Sequence, residues 1–147
     1  MGKHRFEKLF SADEANELIP RLEVLVRDLQ VQAGAIRKKI ADLARFDDKL
    51  AELDLPKVIA RYPELRPIAS RMSELASEIQ ELGCFLKDID QGLVDFPFLV
   101  EAEGDDDDEV VFLCWQYGEP RIVAWHSIEA GFGQRRPLPG ATKPLLN

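Results

Sequence analysis

The sequence predicts an α+β fold. A long coiled-coil-like antiparallel helical hairpin over about residues 11–83 precedes a small antiparallel β-meander of about four strands, about 84–126, and an irregular C-terminal tail, 127–147. Three observations carry this. Leucines and isoleucines recur every three or four positions through the first half, the spacing of one helical stripe. After Gly83 the period changes to that of strands. A chain of 147 residues with 46% hydrophobic and 31% charged positions has the profile of one ordinary globular domain. Such a chain buries about 68–70% of the surface its unfolded form exposes, so it needs no disulfide or metal staple.

The first helix should start at Ser11, which can cap it, with Glu14 three residues on to close a capping box. From there Leu18, Leu22, Leu25, Leu29, Ile36, Leu43, Phe46, Leu50 and Leu53 fall on one heptad frame, interrupted by Gln32 and Lys39. Pro20 removes one backbone hydrogen bond inside the frame, which predicts a kink near 16–20 and not a stop. Pro56, Pro63 and Pro67 mark a connection, with a short turn of helix at 57–60. A second stripe, Leu65, Ile68, Met72, Leu75, Ile79 and Leu82, ends at Gly83, a C-cap residue. At 1.5 Å per residue the first helix would span about 60 Å and the second under about 30 Å. Either the first helix breaks near 45–48 and folds back, or a second subunit covers the excess; the stripe favours the second subunit.

Four segments rich in Val, Phe, Leu and Trp follow: 84–89, 93–100, 110–116 and 121–126. Turn signals separate them, Asp90-Gln91-Gly92, the acidic stretch 101–109 and Tyr117-Gly118-Glu119-Pro120. Pairing Gln116 with Arg121 would put Phe112, Cys114, Val123 and Trp125 on one face and Leu113, Trp115, Ile122, Ala124 and His126 on the other. Both faces are apolar, so the helices should cover one and the tail or another subunit the other.

The net charge is −8, but seven acids lie in one stretch: Glu101, Glu103, Asp105, Asp106, Asp107, Asp108 and Glu109. The other 20 acidic residues nearly balance the 19 basic ones, so the run reads as a solvated loop tip. With no basic stripe, nucleic acid is excluded as a partner. No apolar run approaches the roughly 20 residues of a membrane span. The first ten residues lack the apolar stretch of a signal peptide, and Phe6 stands where a myristoylation motif requires Ser or Thr, so the expected location is cytoplasmic. Two cysteines, Cys84 and Cys114, are too few for a disulfide framework or a four-ligand zinc site and read as small buried hydrophobes.

The stretches FSADEANELIP, ELGCFLKDIDQGLVDFP, LCWQYGEPRIVAWH and GFGQRRPL resemble a prokaryotic family catalogued as domain of unknown function two-two-zero-three. The resemblance runs from about Phe10 to Leu138 and implies no established activity. The aspartate run is longer than that pattern calls for.

The candidate polar cluster is Asp88, Asp90, Asp95, Glu119 and His126, the inventory of acid–base chemistry and of hard-metal ligation. Asp88 and Asp90 should share one side of their strand. The stretch beginning at Asp88 is no calcium loop, because its fifth position is Gly92 and its twelfth is Leu99. His126 reads as a strand-end ring packed on aromatics and bonded to a backbone carbonyl, and Glu119 as a turn residue. With His4 the chain holds two histidines, which excludes a three-histidine zinc enzyme. No cofactor is implied, and no metal is expected; any metal would sit in this cluster. The heptads favour a non-enzymatic, self-associating interaction protein, a homodimer that presents its helices or acidic loop to a further protein partner. The alternative is a small metal-binding or hydrolase-like enzyme built on the sheet-turn carboxylates and His126.

Overall fold

The computed structural model describes residues 6–101, 104, 107–130 and 132–138. His4, Glu103, Asp105, Asp106 and the tail beyond Leu138 lie outside the described residues. Three α-helices are followed by five strands.

The capping box forms: Ser11 Oγ accepts from the Glu14 amide at 3.0 Å, and Glu14 Oε1 accepts from the Ser11 amide at 2.9 Å. It starts α1, Ala12–Ala44, which runs through Pro20 without a break. The helix is 33 residues long and stops short of the predicted frame. The physical reason is Asp47. Its carboxylate accepts from the Lys49 amide at 3.1 Å, capping a 3-10 turn at Asp48–Glu52, and from Tyr62 Oη at 2.6 Å, while also pairing with Arg61. Three partners around one side chain turn the chain back on itself.

The short helix α2, Leu55–Arg61, begins with Asp54 accepting from the Lys57 amide and Pro56 in its first turn. A 3-10 turn, Pro63–Leu65, leads into α3, Arg66–Glu81, which packs on α1. The predicted two-helix hairpin is thus replaced by three helices. The heptad stripe left over in the prediction has cover within its own chain, because Leu50, Val58 and Leu65 bury against Ile36, with Ile40 and Leu43 alongside. Phe46, part of the predicted frame, is 91% exposed at the turn.

Gly83, at φ +95°, ends the helical half, a conformation that favours glycine. The strands are β1 Phe85–Asp88, β2 Leu93–Val100, β3 Glu109–Gln116, β4 Ala124–His126 and β5 Arg136–Pro137. They form one sheet, every neighbouring pair antiparallel, in the order β1-β2-β3-β4-β5. The meander is the predicted one with a fifth strand, which the tail supplies. Leu138 extends that pairing, its amide bonding to Val123 O at 2.9 Å. β2 and β3 pair from Leu93↔Gln116 to Val100↔Glu109.

The register of β3 and β4 differs by one residue from the predicted one: Phe112 pairs with His126, Leu113 with Trp125 and Cys114 with Ala124. Because side chains alternate, that single step moves the whole strand to opposite faces. The cause lies before β4. The Ile122 amide bonds to Asn16 Oδ1 on α1 at 2.6 Å, not to β3, and the Ile122 side chain buries in the helix-facing core. Residues 121–123 therefore leave the ladder, and Trp125, expected beside Cys114, faces the helices with Leu113.

Two faces result. Val94, Phe96, Leu113 and Trp115 pack beneath α1 and α3, against Leu22, Val26, Leu29, Leu75 and Ile79. The opposite face carries Leu93, Asp95, Phe112, Cys114 and His126. Its cover comes from the N-terminal segment and from residues 127–130. Phe6 meets both Phe85 and Phe112 edge to face at 5.7 Å, and the Phe10 amide bonds to Pro97 O at 2.8 Å. Ile128 and Ala130 close the other side.

The fold-back can be checked by two substitutions. Leu65→Ala, at a fully buried position, should destabilise by about 2–5 kcal/mol in urea unfolding, whereas Phe46→Ser should stay within about 0.5 kcal/mol. Equal effects would contradict the second core. The Asp47 network adds a pH dependence. The Arg61 hydrogen bond, then that of Tyr62, holds the Asp47 carboxyl down at about 2, against an ordinary 3.8. The stability it contributes is present above pH 4 and is lost as pH falls toward 2. Asp47→Asn should therefore be less stable than wild type at pH 7, with the gap closing between pH 4 and 2; a gap independent of pH would refute this.

Candidate functional site

β2, β3 and β4 bring three chemically active side chains to adjacent positions on the face turned away from the helices. Asp95 and Cys114 are directly cross-strand. His126, one pair further along on β4, leans over β3 so that its Nε2 lies 3.1 Å from Asp95 Oδ1. Asp95 is 3% and His126 4% exposed, and they are the buried charged or polar side chains among the described residues. The ligand-type atoms of Asp95, Cys114 and His126 all lie within 4.8 Å of one another. All three line a cavity of about 170 Å³, together with Lys87, Leu93, Phe112, Ile128 and Ala130.

The proton inventory of the pair follows from its neighbours. His126 Nδ1 is 2.8 Å from Ser127 O, and a carbonyl only accepts, so Nδ1 carries the hydrogen. Nε2 is then left to face the carboxylate, and one proton, or another cation, must bridge it to Oδ1. Burial pushes the Asp95 carboxyl above the ordinary range; the facing imidazole, Lys87 and the Cys114 thiol pull the other way without cancelling it. Burial, then the neighbouring Asp95, pushes the Cys114 thiol up to about 12. At neutral pH that sulfur is a thiol and no nucleophile. The Phe112 ring, its cross-strand neighbour, meets the imidazole edge to face at 5.6 Å.

Of the five residues singled out in the sequence, Asp95 and His126 come together and three stand apart. Asp88 Oδ1 accepts from the Gln91 amide at 2.9 Å and makes the β1–β2 turn. Asp90 pairs with Arg37 of α1, where Gln30 also bonds to the Ile89 and Asp90 carbonyls. Asp88 and Asp90 do not share a strand side, because the register shifts between Leu86 and Asp88 and β1 ends there. Glu119 clamps the β3–β4 turn: Oε1 accepts from the Gln116 amide at 2.8 Å, Oε2 pairs with Arg135 at 2.7 Å, and its carbonyl accepts from Trp115 Nε1 at 2.9 Å. His126 is packed on an aromatic ring and bonded to a carbonyl as expected, but on the Cys114 face and not the Trp115 face. Sequence reasoning misses Cys114 and Lys87. The signal for Cys114 lies in pairing, since only the β2–β3 register sets it opposite Asp95.

Helices on one face of an antiparallel meander, with a buried carboxylate, thiol and imidazole on the other, define an α+β protein whose polar chemistry is concentrated in one small cavity. The family model described as "Uncharacterized conserved protein (DUF2203)" matches residues 8–138, and the chain belongs to that family. No curated protein and no solved structure matches it.

Proposed function

We propose that the protein binds one divalent cation of borderline softness, zinc in type, through Asp95, Cys114 and His126, with one coordination position open to the cavity. The observation that carries this reading is the anchoring of His126. A ring whose Nδ1 hydrogen is given to a backbone carbonyl presents the Nε2 lone pair, the arrangement found around metal-ligating histidines. It presents that pair to a carboxylate and a sulfur, the ligand types that zinc takes. The ligands come from three neighbouring strands, so the backbone holds them in place. Bond lengths of about 2.0–2.3 Å to a common ion would set the donor atoms about 3.3–3.7 Å apart, a change within reach of small side-chain rotations from the observed cluster. A dication would replace the bridging proton and deprotonate the thiol outright. Carboxylate and thiolate then balance its two charges, which makes burial affordable.

The test is titration of Zn²⁺ and Co²⁺ into protein purified without an affinity tag and stripped with chelator. One cation per chain should bind at micromolar concentration or below. Co²⁺ should give a thiolate charge-transfer band that Cys114→Ser removes, and His126→Ala should weaken binding at least about tenfold. The absence of saturable binding, or binding indifferent to both substitutions, would overturn the reading; the wild-type cobalt spectrum decides the matter even where a variant misfolds.

The self-associating reading keeps one observation of its own. Val24 and Val31, one heptad apart on α1, are 67% and 60% exposed. If a second copy covers them, sedimentation equilibrium should give at least twice 16.7 kDa and Val24→Asp with Val31→Asp should restore the monomer mass. A wild type at monomer mass would end that reading.

A further inference from the structure

The cavity over the cluster has an asymmetric lining. One charged side chain reaches its mouth. Lys87 lies at the register shift between Leu86 and Asp88, and its Nζ stands 5.7 Å from the Phe85 ring centroid and 5.1 Å from that of Phe112. Bulged positions next to a cavity commonly re-aim a side chain toward it. Among the described residues no carboxylate lies within ion-pair distance of Lys87. The remaining wall is apolar: Leu93, Phe112, Ile128 and Ala130.

Charge decides what such a cavity accepts. With a dication balanced by the Asp95 carboxylate and the Cys114 thiolate, and with a neutral imidazole, the Lys87 ammonium is left as one uncompensated positive charge beside the open coordination position. An anion can pair with both the cation and that ammonium, whereas a neutral molecule pairs with neither. The protein as a whole carries −8, so its overall field does not recruit anions and the local lysine must do so. Size narrows the choice further. At about 30 Å³ per water-sized group, 170 Å³ admits about five or six such groups. That is a carboxylate with a short aliphatic chain.

Resting on the cation reading above, we propose that the cavity binds a short-chain monocarboxylate, one oxygen on the Asp95–Cys114–His126 cation, the other paired with Lys87, and the alkyl chain against Leu93, Phe112 and Ile128. The carboxylate bridges metal and ammonium, while the apolar wall excludes phosphate, which would need polar partners on every side.

Butyrate titrated into the Co²⁺-loaded protein tests this, read by the cobalt d–d spectrum. Saturable binding is expected, at least about tenfold tighter than that of 1-butanol or inorganic phosphate. Lys87→Met, a substitution at an exposed position, should weaken butyrate about tenfold without weakening Co²⁺ binding, because it removes a positive charge facing Asp95. A loaded protein whose spectrum ignores butyrate, or a Lys87→Met variant that binds it as well as wild type, refutes the carboxylate and spares the cation. Preference for phosphate refutes the substrate class. A protein that takes up no Co²⁺ refutes both.

Discussion

One hydrogen bond outside the sheet governs what the sheet can do. Asn16, in the second turn of α1, takes the Ile122 amide that an ordinary hairpin would give to β3. The chain entering β4 is thereby held against the helices until Ala124, and pairing resumes one residue out of step with a tight turn. Strand alternation converts that step into a choice between faces. In the observed register His126 stands over Cys114 and Asp95. In the other it would point to the helix-facing side, where Leu113 and Trp115 pack. The helical layer thus does more than cover the sheet: it sets the phase of the strand that completes the cluster.

The cluster is costly in the physical terms that shape the rest of the core. A carboxyl and an imidazole removed from water lose hydration that only mutual pairing and further hydrogen bonds can replace. Here Ser127 O satisfies one ring nitrogen and Asp95 the other, and among the described residues every buried side-chain nitrogen and oxygen has a partner. Two apolar side chains of similar size would pack this spot without that cost. Retaining a carboxyl, a thiol and an imidazole at one point, on the face away from the main core, is the arrangement expected where chemistry and not packing selects the residues.

Much of the fold is legible in the sequence, because its signals are local. The capping box at Ser11 and Glu14, the punctuation at Pro63 and Gly83 and the change of period after Gly83 each act within a few residues. What escapes is decided at long range. The end of α1 depends on Asp47 meeting Arg61 and Tyr62, 14 and 15 positions away, a contact that an unbroken heptad count does not register. The fifth strand needs β4 already in place before Arg136 and Pro137 have an edge to join. The candidate site divides in the same way. Asp95 and His126 stand out as polar residues in apolar strands. Their company does not: Asp88, Asp90 and Glu119 look equally reactive but are consumed by turns and ion pairs, and Cys114 reads as core filler until the register sets it beside a carboxylate.

The Ser127 carbonyl accepts twice, from the His126 ring and from the Ala130 amide at 3.2 Å. One oxygen therefore ties the orientation of the imidazole to the turn whose Ile128 and Ala130 roof the cavity. The two cannot vary independently: if the roof opens, the carbonyl swings and the ring loses the partner that fixes its tautomer. The orientation of the ring and the position of the roof are tied together at a single atom. An occupant that held Ile128 down would also hold Nε2 in place, which is the form a coupling between the roof and the ring would take.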